Sequence, residues 1–431
     1  MYLKESLAKR SSLFLAIYAS IFLFITYTCT YALRKPFTAG LYEGDYLWGF
    51  DAKLLYVMAQ IIGYACSKFI GVRILPGMKK NQRAVYSIGL MSFSEIMLIG
   101  FGYFSPGLKV VCIFLSGMPL GMIWGILFSY IEGRRISEIL NVGVSVTLII
   151  SSGIVKSIGQ FVLDTFHVTE YWMPAITGAL CYPIMILSVL FLNQIPEPNE
   201  IDKIQRTERQ PMSKAECIDF LRKFFSGIVL LVIFYSALTI FRELRDSFAA
   251  DIWKELDIKG AMIFTQTEIP ITIVVLGLML MLYFIKSNRW AVNSIYIMSM
   301  IGGGLMIIST ILFIHHILSP IWWMVISGLG MYLGYIPFSF LIDRLIASLK
   351  IISTMVFLLY LADSFGYLGT AVVFIIKNFS EITISWTNML VYMAYISGSI
   401  AMISIYFIFR YFRKQIVQVV NKEKLEIKEN D

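Results

Sequence analysis

The stretch SLFLAIYASIFLFITYTCTYAL, residues 12–33, runs straight into Arg34-Lys35-Pro36-Phe37. Its 22 residues carry no charge. At 1.5 Å of rise per residue such a helix crosses a hydrocarbon layer of roughly 30 Å. Lipid suits it because a helix satisfies every backbone hydrogen bond within its own segment. Runs of similar character recur at 54–75, 84–104, 110–131, 139–163 and 171–192. Six more follow at 225–241, 261–285, 291–314, 321–342, 351–376 and 386–411. The pattern predicts an all-α membrane protein of twelve transmembrane helices. Composition agrees: 58% of the 431 residues are hydrophobic, 15% are charged, and the mean hydropathy is +0.74, a balance outside the range of soluble domains.

Counting Lys and Arg on alternate sides sets the orientation. Lys4, Lys9 and Arg10, the loop with Arg73, Lys79, Lys80 and Arg83, the central loop, and the tail from Arg413 fall on one side. That side is cytoplasmic by the positive-inside rule, so both termini face in, and the expected location is a cell inner membrane. The net charge of +8 is split among short loops, which argues for lipid headgroups and against nucleic acid as partner. The first apolar run is too long for a cleavable signal and reads as an anchor. Cys29, Cys66, Cys112 and Cys181 lie in spans and Cys217 in the central loop, so disulfides are not expected.

The longest polar stretch, 193–224, divides the spans six and six. The expected organisation is a six-helix half at 1–192, a cytoplasmic linker at 193–224, a second half at 225–412 and a basic tail at 413–431. Within the linker, 217–224 has the makings of a short amphipathic helix. The halves look like a repeat offset by about 200 residues: the first span of each half has an Arg near its outer end, Arg34 and Arg242, while the second span of each half embeds a charge, Lys68 and Glu268. A parallel repeat with matched charges is the pattern of a transporter that binds its solute at the interface of its halves.

An ionisable group at mid-bilayer costs roughly 2.5 to 3.5 kcal/mol on insertion scales, so each one needs a partner or a wet cavity. The candidates are Arg34, Lys68, Glu95, Lys156, Arg242, Glu268 and Asp363. Arg34 follows its apolar run directly and has snorkelling to headgroups as an alternative. Arg242 has a second alternative, an exposed ion-pair cluster with Glu243, Arg245 and Asp246. Against both stands the seventh span, too short at 17 residues, which implies that the helix continues past Arg242. Lys68 has a structural alternative as the partner of Glu95. Glu268 precedes Pro270, whose ring opens a helix hydrogen bond, and Asp363 precedes the small-residue run Gly366-Tyr367-Leu368-Gly369. Lys156 reads equally as structure or function. No phosphate loop occurs, and His167, His315 and His316 lack metal-ligand spacing. No enzyme activity, cofactor or metal is expected.

Tyr31 to Phe37 resembles the Tyr-x-x-x-Arg-Lys-x-Phe signature of the organophosphate:phosphate antiporters of the major facilitator superfamily. Gly63-Tyr64-Ala65-Cys66-Ser67-Lys68-Phe69 is similar to their Gly-(Tyr/Phe)-x-x-Ser-Lys-Phe stretch, and 116–146, 242–255, Glu268 and 365–369 also match. The resemblance implies the twelve-helix alternating-access fold, with Arg34, Lys68 and Arg242 facing a central anion site and helices one and seven continuing beyond their arginines. It also places Tyr335 and Tyr367 near that site. The chain departs from the family at Ser151, where the phosphate exchangers carry histidine, and in the loop 71–83, which lacks the superfamily's acidic residue. Glu132-Gly133-Arg134-Arg135, Gly334 to Phe338 and Asp343-Arg344 look like an uncharacterised branch.

The leading expectation is a monomeric secondary transporter of a small anionic solute, such as an organophosphate, phosphate or carboxylate. Arg34 and Arg242 would bind its charge and Lys68 would add to theirs. Proton symport through Glu95, Glu268 or Asp363 is the alternative. A sensor signalling through the central loop or the tail, and a lipid flippase, are further ones. The topology is testable: a cysteine introduced at Lys79 or Asn199 should be labelled only from the cytoplasmic side, and one at Gly44 or His316 only from outside. Labelling of position 199 from outside would overturn the six-plus-six division.

Overall fold

The computed structural model describes residues 2–74, 78, 82–130, 137–196, 214–285, 287–349, 355–379 and 384–430. Lys79, Asn199, the segment 132–135 and most of the expected linker lie outside these residues. Helices dominate, as the apolar runs require. After α1 (Tyr2–Ala8) come α2 (Ser12–Ala32), α3 (Ala52–Ile74), α4 (Arg83–Tyr103), α5 (Pro106–Ser129), α6 (Ser137–Phe166) and α7 (Met173–Leu192). The second series is α8 (Lys214–Lys223), α9 (Phe225–Ser247), α10 (Ala249–Glu255), α11 (Ile263–Phe284), α12 (Asn288–Ile314), α13 (Pro320–Tyr335), α14 (Phe338–Leu349), α15 (Met355–Phe379) and α16 (Trp386–Asn430). Among the described residues, eleven helical segments are long and apolar enough to cross a membrane. The twelfth expected span is α3, a helix of crossing length that carries Lys53, Lys68 and Arg73.

Two boundaries differ from expectation. The span at 321–342 is broken between α13 and α14, because Pro337 has no N–H to continue the ladder. The first transmembrane helix ends at Ala32 rather than continuing past Arg34: Leu33 caps it through its N–H to Thr30 and Tyr31, and Pro36–Ala39 forms a 3-10 turn. In the seventh span the expectation holds, since α9 runs to Ser247.

The chain forms two compact units. The first comprises Met1–Thr207, Leu244–Leu276 and Ala371–Thr387, and the second Glu208–Glu243, Gly277–Thr370 and Asn388–Asp431. In the first, α3 packs closely on α5 because glycines remove the intervening side chains. A Cβ at Gly63 would run into the Phe114 carbonyl, and one at Gly117 would lie 2.7 Å from the Gln60 carbonyl. A small hairpin pairs Tyr46–Leu47 with Phe50–Asp51 through the left-handed residues Trp48 and Gly49. Beside it, Glu170 accepts from the backbone N–H groups of Leu41 (2.6 Å) and Tyr42 (2.7 Å), and the rings of Tyr42, Tyr56, Phe101 and Tyr171 pack together. Burial and the Glu170 carboxylate push the Tyr42 phenol well above its usual range.

In the second unit α12 and α13 repeat the glycine device: a Cβ at Gly330 would lie 2.5 Å from the Gly302 carbonyl. Trp323, fully buried, stacks on Phe313 at 4.0 Å and donates to Thr310 Oγ1 at 3.0 Å. The amphipathic helix expected at 217–224 is present as α8. Its Phe220, with Phe224 just after it, helps line a small apolar cavity with Ile228, Leu345, Leu358 and Phe412. Gly63→Ala should destabilise the protein by about 1–3 kcal/mol, since two backbones must part to admit the methyl. Gly277→Ala, with nothing within 4 Å of its Cβ, should be neutral or slightly stabilising. Equal melting temperatures of the two purified variants would contradict this packing account.

Candidate functional site

Most of the ionisable residues picked from the sequence are buried, and their partners sort them. In the first unit the turn after α2 carries Arg34, 4% exposed, with its guanidinium carbon 3.9 Å from the ring centre of Tyr64 on α3. One helical turn further along α3, the Lys68 ammonium stands 4.9 Å from the same ring. A cation over an aromatic face is held electrostatically. Snorkelling is therefore not what Arg34 does.

The next residue, Lys35, opens a buried charge lattice. Its ammonium lies 2.5 Å from Asp246 Oδ2, and Lys156 on α6 lies 2.5 Å from Oδ1 and 2.7 Å from the Asp246 carbonyl. Ser152 donates to the same Oδ1 at 2.5 Å. One residue before Asp246, Arg245 bonds Glu268 Oε1 on α11 at 2.7 Å. Close approach of α6 and α11 makes this possible, for a Cβ at Gly153 would sit 2.5 Å from the Phe264 carbonyl. Lys53 pairs with Asp251 on α10 at 2.5 Å, and Lys254 with Glu43. Burial outweighs the Lys53 ammonium and raises the Asp251 carboxyl above its usual range. Glu255 accepts from the N–H groups of Trp386 and Thr387, both at 2.8 Å, where the dipole of α16 favours an anion.

In the second unit Arg242 is 4% exposed, with its guanidinium carbon 4.8 Å from the ring centre of Tyr335 and Nη2 donating to Tyr367 Oη at 3.3 Å. The neighbouring Glu243, fully buried, accepts from Nη2 at 2.5 Å. Tyr235 stacks on Tyr335 at 4.8 Å and donates to Asp363 at 2.8 Å. Thus Arg242, Tyr335, Tyr367 and Asp363 come together as one cluster. The alternative of an exposed group around Arg242 is corrected: Glu243, Arg245 and Asp246 are enclosed. Lys156 and Glu268 are ion-paired, and Glu95 packs elsewhere, against Gly178 on α7.

Sequence reasoning missed Lys35, Tyr64, Tyr235 and the roles of Glu243, Arg245 and Asp246. Lys35 and Asp246 each sit beside a chosen arginine, so charge alternation was the available signal. For Tyr235 there was none, since an aromatic in a span is ordinary. Ser151, the departure from the exchangers' histidine, bonds Thr28 at 2.7 Å.

A family model described as "Family of unknown function (DUF5690)" matches residues 36–415. No curated protein matches the chain. Among solved structures, a D-xylose-proton symporter is similar with a TM-score of 0.63 at 14% identity, over 92% of this chain and 97% of that one. The nucleoside transporter NupG gives 0.61 at 15% identity, over 92% and 99%. A bacterial homolog of the human lysosomal transporter Spinster, inward-facing and unoccupied, gives 0.59 at 14%, over 95% and 99%. The fold is that of the major facilitator transporters. Of the contacts above, the one between Asp246 and its two lysines should matter most to stability. Asp246→Asn strands two buried ammonium groups and should cost about 3–5 kcal/mol, read as a lower unfolding temperature in detergent. Adding Lys156→Met should recover part of that loss, and no recovery would contradict the lattice.

Proposed function

The chain belongs to the DUF5690 family, a family of unknown function, and we propose that it is a secondary transporter of a small anionic solute working by alternating access. One observation carries the reading. Each six-helix half in the sequence carries, near the outer end of its first transmembrane segment, a buried arginine laid over a tyrosine ring, Arg34 on Tyr64 and Arg242 on Tyr335. Stacking fixes a guanidinium in orientation, and its planar fork then suits the paired oxygens of a phosphate or carboxylate. Lys68, over the Tyr64 ring, adds a point charge, and Tyr367 supplies a hydroxyl at Arg242. Glu243 gives the site a selective feature, because an arriving anion has to compete for Arg242 with a carboxylate already there. The likeness of the fold to transporters and the resemblance of 31–37 and 63–69 to anion exchangers support the same conclusion. Location in a cell inner membrane with both termini inside follows from the basic loops.

A second reading takes its support from Glu243. With Arg242 neutralised, the cluster suits a polar uncharged solute, and the similar structures include a D-xylose-proton symporter and a nucleoside transporter. A thermal-shift screen of detergent-purified protein with phosphate, phosphate esters, sugar acids, sugars and nucleosides separates the two, because a ligand that binds only the folded state raises its melting temperature. Arg34→Lys and Arg242→Lys should each impair uptake of the solute found in this way by tenfold or more, since Lys keeps the charge and loses the fork. Wild-type uptake in both variants at matched protein levels would sink the assignment.

A further inference from the structure

The buried carboxylates divide unequally. Asp246, Glu268 and Glu243 each have a cation, and Asp363 has the Tyr235 hydroxyl. Glu95 has neither. It lies near the middle of α4, 9% exposed, and its Oε2 is fully buried without a hydrogen-bond partner among the described residues. The carboxyl fills a slot that exists only because residue 178 is glycine: a Cβ there would collide with Oε2 and come within 3.0 Å of Leu33, the residue that caps α2.

Among the described residues, the groups around it do not compensate an anion. From α7 the titratable groups are Cys181 and Tyr182, and the Tyr182 hydroxyl is engaged by Ser92 at 2.5 Å. From α2 comes Cys29, which bonds Cys181. From α5 come Cys112, beside Gly100, and the Ser116 carbonyl, which accepts from Ser94 at 2.9 Å. The charged groups on these helices sit at their ends: Arg83 over Tyr130 at 5.4 Å and Lys109 over Tyr171 at 3.0 Å. An ionised carboxylate buried without a counter-charge is far too costly to persist, whereas a neutral carboxylic acid is tolerable.

We propose that Glu95 is a proton-binding site: it holds a proton while packed in the α4–α7 slot and gives it up when the slot opens to water. A bound proton is the requirement for closure of that slot, because the anion would drag water or a cation in with it. On the transport reading above, on which its use but not its existence rests, this makes Glu95 the residue through which solute movement is coupled to protons. Lys156, Glu268 and Asp363, the other coupling candidates, are already committed to partners.

The test is the infrared band of protonated carboxyl groups, measured on solute-free, detergent-purified protein. Subtracting the Glu95→Gln spectrum from the wild type at neutral pH should leave one protonated-carboxyl band, which shifts in heavy water and disappears when the sample is made alkaline. Glu95→Asp should retain a band, and Gly178→Ala, which pushes the carboxyl out of its slot, should shift or abolish it. Identical wild-type and Glu95→Gln spectra would overturn the proposal, and so would a band that ignores alkalinisation. Since no solute enters this measurement, a failed ligand screen leaves its outcome untouched, and the absence of a band leaves the arginine assignment standing.

Discussion

A charge taken out of water needs another within reach, and the interior of this chain is arranged around meeting that demand at Asp246. One carboxylate serves two lysines at 2.5 Å, one on the turn after α2 and the other on α6. Neither lysine is more than 4% exposed, so their charges have no aqueous alternative. The same segment places Arg245 on Glu268. Through these contacts the stretch beginning at Leu244, late in the sequence, joins the compact unit that begins at Met1. Removing the aspartate would leave two like charges facing each other, which is why the lattice is held as a whole rather than pair by pair.

The arginines follow a different rule. Arg34 and Arg242 each lie over an aromatic face, and Arg242 also bonds Glu243 and Tyr367. Ring contacts thereby set these two arginines apart from the basic residues paired with Asp246, Asp251 and Glu268. Arg245 is claimed by Glu268 and belongs with the paired residues.

Much of the architecture was legible because lipid imposes simple rules: runs of about twenty apolar residues became helices, and the shortness of 225–241 correctly implied a helix continuing to Ser247. The end of α2 was not legible, since a cap made by the backbone of Leu33 leaves no mark in residue type. The break before α14 was available in Pro337 but was masked by apolar residues on both sides. For the candidate site, position in the bilayer picked out the charged residues, and chemistry alone could not pair them. Lys156 with Asp246 and Glu268 with Arg245 join residues far apart in sequence or a helix apart, a relation that only folding creates.

The final helix runs unbroken from Trp386 to Asn430, 45 residues, or about 68 Å at 1.5 Å each. That is about twice what a bilayer core requires. The excess extends the rod well past the lipid, and its starting end is gripped by the Glu255 carboxylate through two backbone donors and the Thr387 hydroxyl. Over the full length of the helix, ten degrees of tilt corresponds to about 12 Å of displacement between the two ends.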